Sequence, residues 1–179
     1  MLRRPNQSGS AILEFTLAGI TLIFIWISVV QMAIGMWRYH TIQYAVKRAG
    51  SYASFHGSGC SSNGNTCSIQ VKDVASVLKT NAIGVDPAAM TVTFNVMQSD
   101  HVTAVSGQTI TCQLSGGGSP CLSNTTTWPP ATNNAPGTDI EIKTEFQFQS
   151  ALALWVPGKG GVTFGSTWLP GFTHQTILF

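Results

Sequence analysis

The side chains that could do chemistry are few. Four cysteines lie in two spacings, Cys60 to Cys67 and Cys112 to Cys121, inside stretches rich in Gly, Ser and Asn. Structural zinc sites place their ligands two to four residues apart, which neither pair does, so the cysteines are read as disulfides in an oxidising compartment. Four cysteines allow three connectivities, and two local bridges ask for the least long-range organisation. Each would stabilise the fold by roughly 2.5 kcal/mol through lost unfolded-chain entropy. His40, His56, His101 and His174 are isolated, and Asp100 beside His101 reads as a turn rather than a dyad. No HExxH, GxSxG or Walker pattern occurs, and the Gly158-Lys159-Gly160-Gly161 run lacks the flanking residues of a phosphate-binding loop. Asn124-Thr125-Thr126 matches a glycosylation sequon, a triplet that is common by chance. The sequence therefore offers no catalytic residue, no metal ligand set and no cofactor site, and an enzyme is not expected.

One carboxylate stands apart. From Ala11 to Trp37 the only charged side chain is Glu14, set in the run AILEFTLAGITLIFIWISVVQMAIGMW. At about 1.5 Å per residue that run reaches roughly 40 Å, more than the ~30 Å hydrocarbon core of a bilayer. It is also too long for the apolar region of a cleaved secretory signal. A charge inside such a helix costs about 2.5 to 3.5 kcal/mol at mid-bilayer, and less near the interface, so it marks function by default. The plain alternative is a residue that snorkels to the headgroups and favours the positive end of the helix dipole.

Around Glu14 the arrangement is specific: Arg3 and Arg4, a short polar leader ending in Gly9, then Ser10-Ala11-Ile12-Leu13-Glu14-Phe15 entering the apolar run. This resembles a type IV prepilin processing site, and its AILEF core is similar to the Glu-Phe variant of TadE-like pseudopilins of tight-adherence pilus systems. The YAVKRAGSYAS segment is similar to the alanine-rich stretch that follows the span in that family. Ser10 departs from the phenylalanine of ordinary type IV pilins. The resemblance covers about the first 55 residues well and the remainder only in outline. It implies cleavage by a prepilin peptidase between Gly9 and Ser10, which makes Glu14 the fifth residue of the mature chain, with Glu14 and Phe15 serving assembly. It also implies other pilin or pseudopilin subunits and an inner-membrane assembly platform as partners. Cleavage would create an amine on Ser10 about one helical turn from Glu14, so the carboxylate could pair with its own or a neighbour's terminus.

Basic residues flank the apolar run on both sides, Arg3 and Arg4 before it and Arg38, Lys47 and Arg48 after it, so charge alone does not orient it. Oxidised cysteines place the C-terminal part outside the cytosol, and the leader inside. With charged residues at 9% and a net charge of +2, no nucleic-acid partner is expected.

The elements that would carry these groups follow from periodicity. Beyond Arg38 a helical stripe continues through Ile42, Ala45, Val46, Ala49 and Ala53, and Ala45, Ala49, Gly50 and Ala53 are small enough to let a sheet approach. A second stripe, Val71, Val74, Ala75, Leu78 and Ala82, predicts a short helix stopped by Gly84 and Pro87. Met90 to Val96 alternates as a half-buried strand, and Ile110, Cys112 and Leu114 alternate more weakly. In Ile140 to Phe148, Ile140, Ile142, Phe146 and Phe148 face one way and Glu141, Lys143, Glu145 and Gln147 the other. Val162 to Phe164 and Phe172 to Phe179 read as terminal strands, and the segment from Ser115 to Gly137 as an exposed loop. Trp155, Trp168, Phe172 and Phe179 are expected in the core, with a docking surface for pilus partners as the alternative. The fold class expected is α+β: a long N-terminal helix packed on a small antiparallel sheet, with one further short helix. The expected division is a leader over 1–9, a transmembrane helix over 10–37, an amphipathic continuation over 38–55 and a β-rich extracytoplasmic domain over 56–179. The leading function is a minor pilin or pseudopilin that initiates, stabilises or caps a pilus or adheres through it; the runner-up is a single-pass anchor displaying a binding module.

Overall fold

The computed structural model describes residues 8–60, 67–149 and 166–179. Helix α1 runs Ser8–Ser54 without a proline to interrupt it. The chain divides at Met36 into an N-terminal unit and a compact unit, Trp37–Phe179.

In the first unit large apolar side chains stand in the open: Phe15 is 81% exposed, Trp26 69% and Met32 75%. The hydroxyls of Thr16, Thr21 and Ser28 donate back to the carbonyls of Ile12, Leu17 and Phe24 at 2.8–3.0 Å. These polar groups are thus satisfied within the helix, as a helix surrounded by hydrocarbon requires. By length and composition this helix can cross a membrane.

The second unit is α+β. Helix α2 covers Val71–Asn81, and strands β1 (Met90–Val96), β2 (Ile110–Gln113), β3 (Asp139–Phe148) and β4 (Thr167–Thr176) form one sheet in the order β2-β1-β3-β4. Every pairing is antiparallel, with Val92 opposite Cys112, Phe94 opposite Ile142 and Ile142 opposite Thr173. The stripe Ile42, Ala45, Val46, Ala49 and Ala53 is fully buried, as its spacing predicts. It meets β4 where both elements carry glycine. A Cβ on Gly171 would lie 2.6 Å from Thr144 Oγ1 and 2.7 Å from Ile42 Cγ2, and one on Gly50 would lie 2.6 Å from Thr173 Cγ2. The missing side chains are what allow helix and strand to approach so closely. The C-terminus closes the far end of the helix: Leu178 N donates to Ser54 O at 3.0 Å, and Phe179 stacks on Phe55.

The segment from Ser115 to Gly137 departs from an exposed loop. It forms short 3-10 turns at Cys121–Ser123 and Ala131–Asn133, and it buries Cys121 and Trp128 completely. Its carbonyls at Thr126 and Asn124 accept from the N–H groups of Val71 and Lys72, two donors that the first turn of α2 cannot satisfy internally. The aromatic tail departs as well. Trp168 and Phe172 are 54% and 59% exposed because they fall on the face of β4 opposite the core, and Phe179 is 36% exposed at the chain end. The terminal strand begins at Thr167 rather than Phe172 and ends at Thr176. Trp155 and Val162 to Phe164 lie outside the described residues.

Candidate functional site

Gly9 and Ser10 occupy the first turn of α1, which begins at Ser8. Glu14 follows one turn later, exposed, with Ile12 and Leu13 at 69% and 68% exposure around it. No hydrogen bond or ion pair among the described residues engages its carboxylate, and Phe15 projects beside it without a packing partner. Among the described residues, the N-terminal end of α1 therefore presents a single carboxylate, without a partner there, in an apolar collar. Such a group gains nothing from the fold of its own domain.

All four cysteines are bridged. Cys60 pairs with Cys67 and Cys112 with Cys121, at Cα separations of 5.5 and 5.3 Å. The second bridge ties the 115–137 segment to β2.

The remaining charges form structural clusters. Glu141, expected on the outer face, is 3% exposed. Register explains it: Asn95, Glu141 and His174 sit opposite one another on β1, β3 and β4. Asn95 Nδ2 donates to Glu141 Oε2 at 2.9 Å, Lys143 Nζ approaches the same oxygen at 2.9 Å, and His174 Nε2 approaches Oε1 at 2.8 Å. His101 pairs with Asp139, not with its neighbour Asp100, and Thr176 Oγ1 donates to Asp139 at 2.6 Å. Burial raises the Asp139 pKa, but the bonds from Thr176 and His101 outweigh it and leave the value below normal. In the second cluster the Thr176 hydroxyl spends its proton on Asp139 itself, and the hydrogen bonds join the strand edge to the 98–101 turn. No group of three metal-ligating side chains occurs among the described residues.

Asp100 caps a tight turn. Hydrogen bonds from the Thr103 side chain and N–H, and then from the Val102 N–H, lower its pKa to about 2. The folded value lies below the unfolded one, so this contribution is present above the ordinary aspartate range and is lost as pH falls through about 2. A carboxyl NMR titration should find Asp100 still ionised at pH 3; a midpoint near the ordinary value, about 3.9, would mean the turn does not form.

A depression of about 370 Å³ is lined by Tyr52, Ser68, Ile69, Gln70, Lys72 and Asp73. Burial and the Asp73 charge raise the Tyr52 pKa, which makes that phenol a weaker nucleophile rather than a stronger one. Comparison with known proteins returns no matching family model, curated protein or solved structure.

Proposed function

We propose that this chain is a minor pilin or pseudopilin of a tight-adherence pilus, cut after Gly9 by a prepilin peptidase and held in the inner membrane by α1. The leader faces the cytoplasm and the Trp37–Phe179 unit lies outside. The observation that carries this reading is Glu14: an exposed carboxylate in an apolar helix, without a partner among the described residues, five residues beyond a glycine preceded by arginines. Its partner is the amine that cleavage creates on Ser10, in the same subunit or a neighbouring one. Other pilin subunits and the assembly platform then receive the matured helix. The disulfides agree with an oxidising exterior.

A second reading is a membrane-anchored binding module, favoured by one feature: Trp168 and Phe172 stand exposed on the open face of β4. The two readings differ at the leader. Co-expressed with a matching peptidase, the chain should lose Met1 to Gly9 and begin at Ser10 by intact mass, and Gly9→Val should block the loss. A full-length N terminus in a piliated cell would exclude the pilin reading and leave the anchored module.

A further inference from the structure

The compact unit begins at Trp37, the residue that ends the apolar run, and the chain there is joined by a distant turn. The ring of Trp37 lies against the backbone of Gly84: a Cβ on that residue would sit on the indole, 2.6 Å from Cζ3. Gly84 also has φ of +77°, so glycine is required twice over. This contact brings Ile83, at the tip of the turn after α2, to the end of the unit where the chain enters. Ile83 is 68% exposed and Trp37 51% exposed, which places two large apolar side chains in the open at that end.

Next to Trp37, Arg38 is held by stacking. Its guanidinium lies 5.4 Å from the Phe148 ring centroid and 5.9 Å from that of Phe146. Its Nε is enclosed without a hydrogen-bond partner, and no carboxylate among the described residues forms an ion pair with it. Aromatic faces therefore position this cation, and its charge is not compensated inside the unit. Asp86, two residues past Gly84, is engaged as a cap by the Ala88 N–H at 3.0 Å.

We infer that this end of the compact unit docks on the bilayer surface, Ile83 and Trp37 entering the interfacial layer and Arg38 pairing with a lipid headgroup phosphate. The inference rests on α1 being a membrane span. Chain continuity then supplies the occupant, because Trp37 is the last residue of the apolar run and must lie near the level at which that run leaves hydrocarbon. Trp and apolar tips suit that layer, and a planar guanidinium suits a phosphate. Docking at Ile83 would give the compact unit a second point of attachment to the bilayer, some 45 residues along the chain from the span.

The test uses the full chain in phosphatidylcholine vesicles and in phosphate-free maltoside micelles. Amide exchange is read at Ile83 and Gly84, whose N–H groups make no hydrogen bond in the structure. Exchange there should be at least tenfold slower in vesicles, Ile83→Asp should restore the fast rate, and Arg38→Gln should restore part of it. Both variants must still float with vesicles and keep their disulfides, since Ile83 and Arg38 lie outside the core. Equal rates in vesicles and micelles, with the chain floating, would overturn docking and leave the span intact. Protection that grows with protein density in the membrane would assign the surface to a second copy and overturn the lipid. A chain that does not float would overturn the span, and this inference with it.

Discussion

On the proposed pilin reading, Glu14→Gln is expected to abolish incorporation into the pilus while leaving folding, insertion and processing intact. Glutamine keeps the shape of the side chain and removes its charge, so the helix should insert at least as well as before. The compact unit starts beyond Met36 and keeps its disulfides in either case. The substitution leaves Gly9 untouched, so cleavage should largely persist. What fails on that reading is the pair with the Ser10 amine. Removing one partner of a poorly solvated ion pair costs about 3–5 kcal/mol, because the other charge is left uncompensated. At 1.4 kcal/mol per tenfold, subunit association would weaken by roughly two to three and a half orders of magnitude. The variant should be expressed without a wild-type copy, and its abundance, N terminus and co-purification with pilus components measured. Assembly at normal level would reduce Glu14 to a dipole-stabilised interfacial residue and favour the anchored module.

Trp128→Ala should be the most damaging single change within the compact unit. The indole is 0% exposed and meets Phe94 edge-on, with ring centroids 5.1 Å apart. It anchors the 115–137 segment, whose carbonyls in turn cap α2. Truncating a buried Trp costs about 3–5 kcal/mol, against the 5–15 kcal/mol of stability that a domain ordinarily has. The midpoint of a near-UV melt of the detergent-solubilised chain should fall by on the order of 10 °C. Trp168→Ala, on the solvent face of β4, should stay within about 0.5 kcal/mol of wild type. Equal melting of the two variants would mean that the Trp128 pocket adds nothing to the core.

These two residues also separate what is legible in the sequence from what is not. Glu14 stands out because a carboxylate in a long apolar run is conspicuous without any structure. Helices and strands with clean periodicity are legible for the same reason: the buried stripes of α1 and α2 and the inward residues of β1 coincide with their spacing. Trp128 is hidden because its neighbours, Thr, Pro, Asn and Ser, have the composition of solvent loops, and its burial depends on contacts with elements distant in sequence. Trp168 and Phe172 mislead in the opposite direction. Aromatics are usually buried, but strand parity sends these two away from α1. Glu141 needs the register of three strands before His174 and Asn95 can be seen to meet it. Periodicity says which face a residue takes within its own element, whereas tertiary register decides what lies opposite.

The seam between α1 and β4 has a consequence for how the protein is made. Gln43 Nε2 donates to Pro170 O across a sequence separation of 127 residues, and the last residues close on Ser54 and Phe55. The apolar stripe Ile42 to Ala53 is thus synthesised long before the strand that covers it. At about 5–20 residues per second this leaves the stripe uncovered for on the order of ten seconds in every nascent chain. During that interval the growing polypeptide presents an unmatched hydrophobic surface, where a holding chaperone would have its opportunity and a protease its substrate. A chain released before Thr167 would lack the strand that covers this stripe and could not complete its core, so synthesis of β4 is the step that commits the unit to its fold.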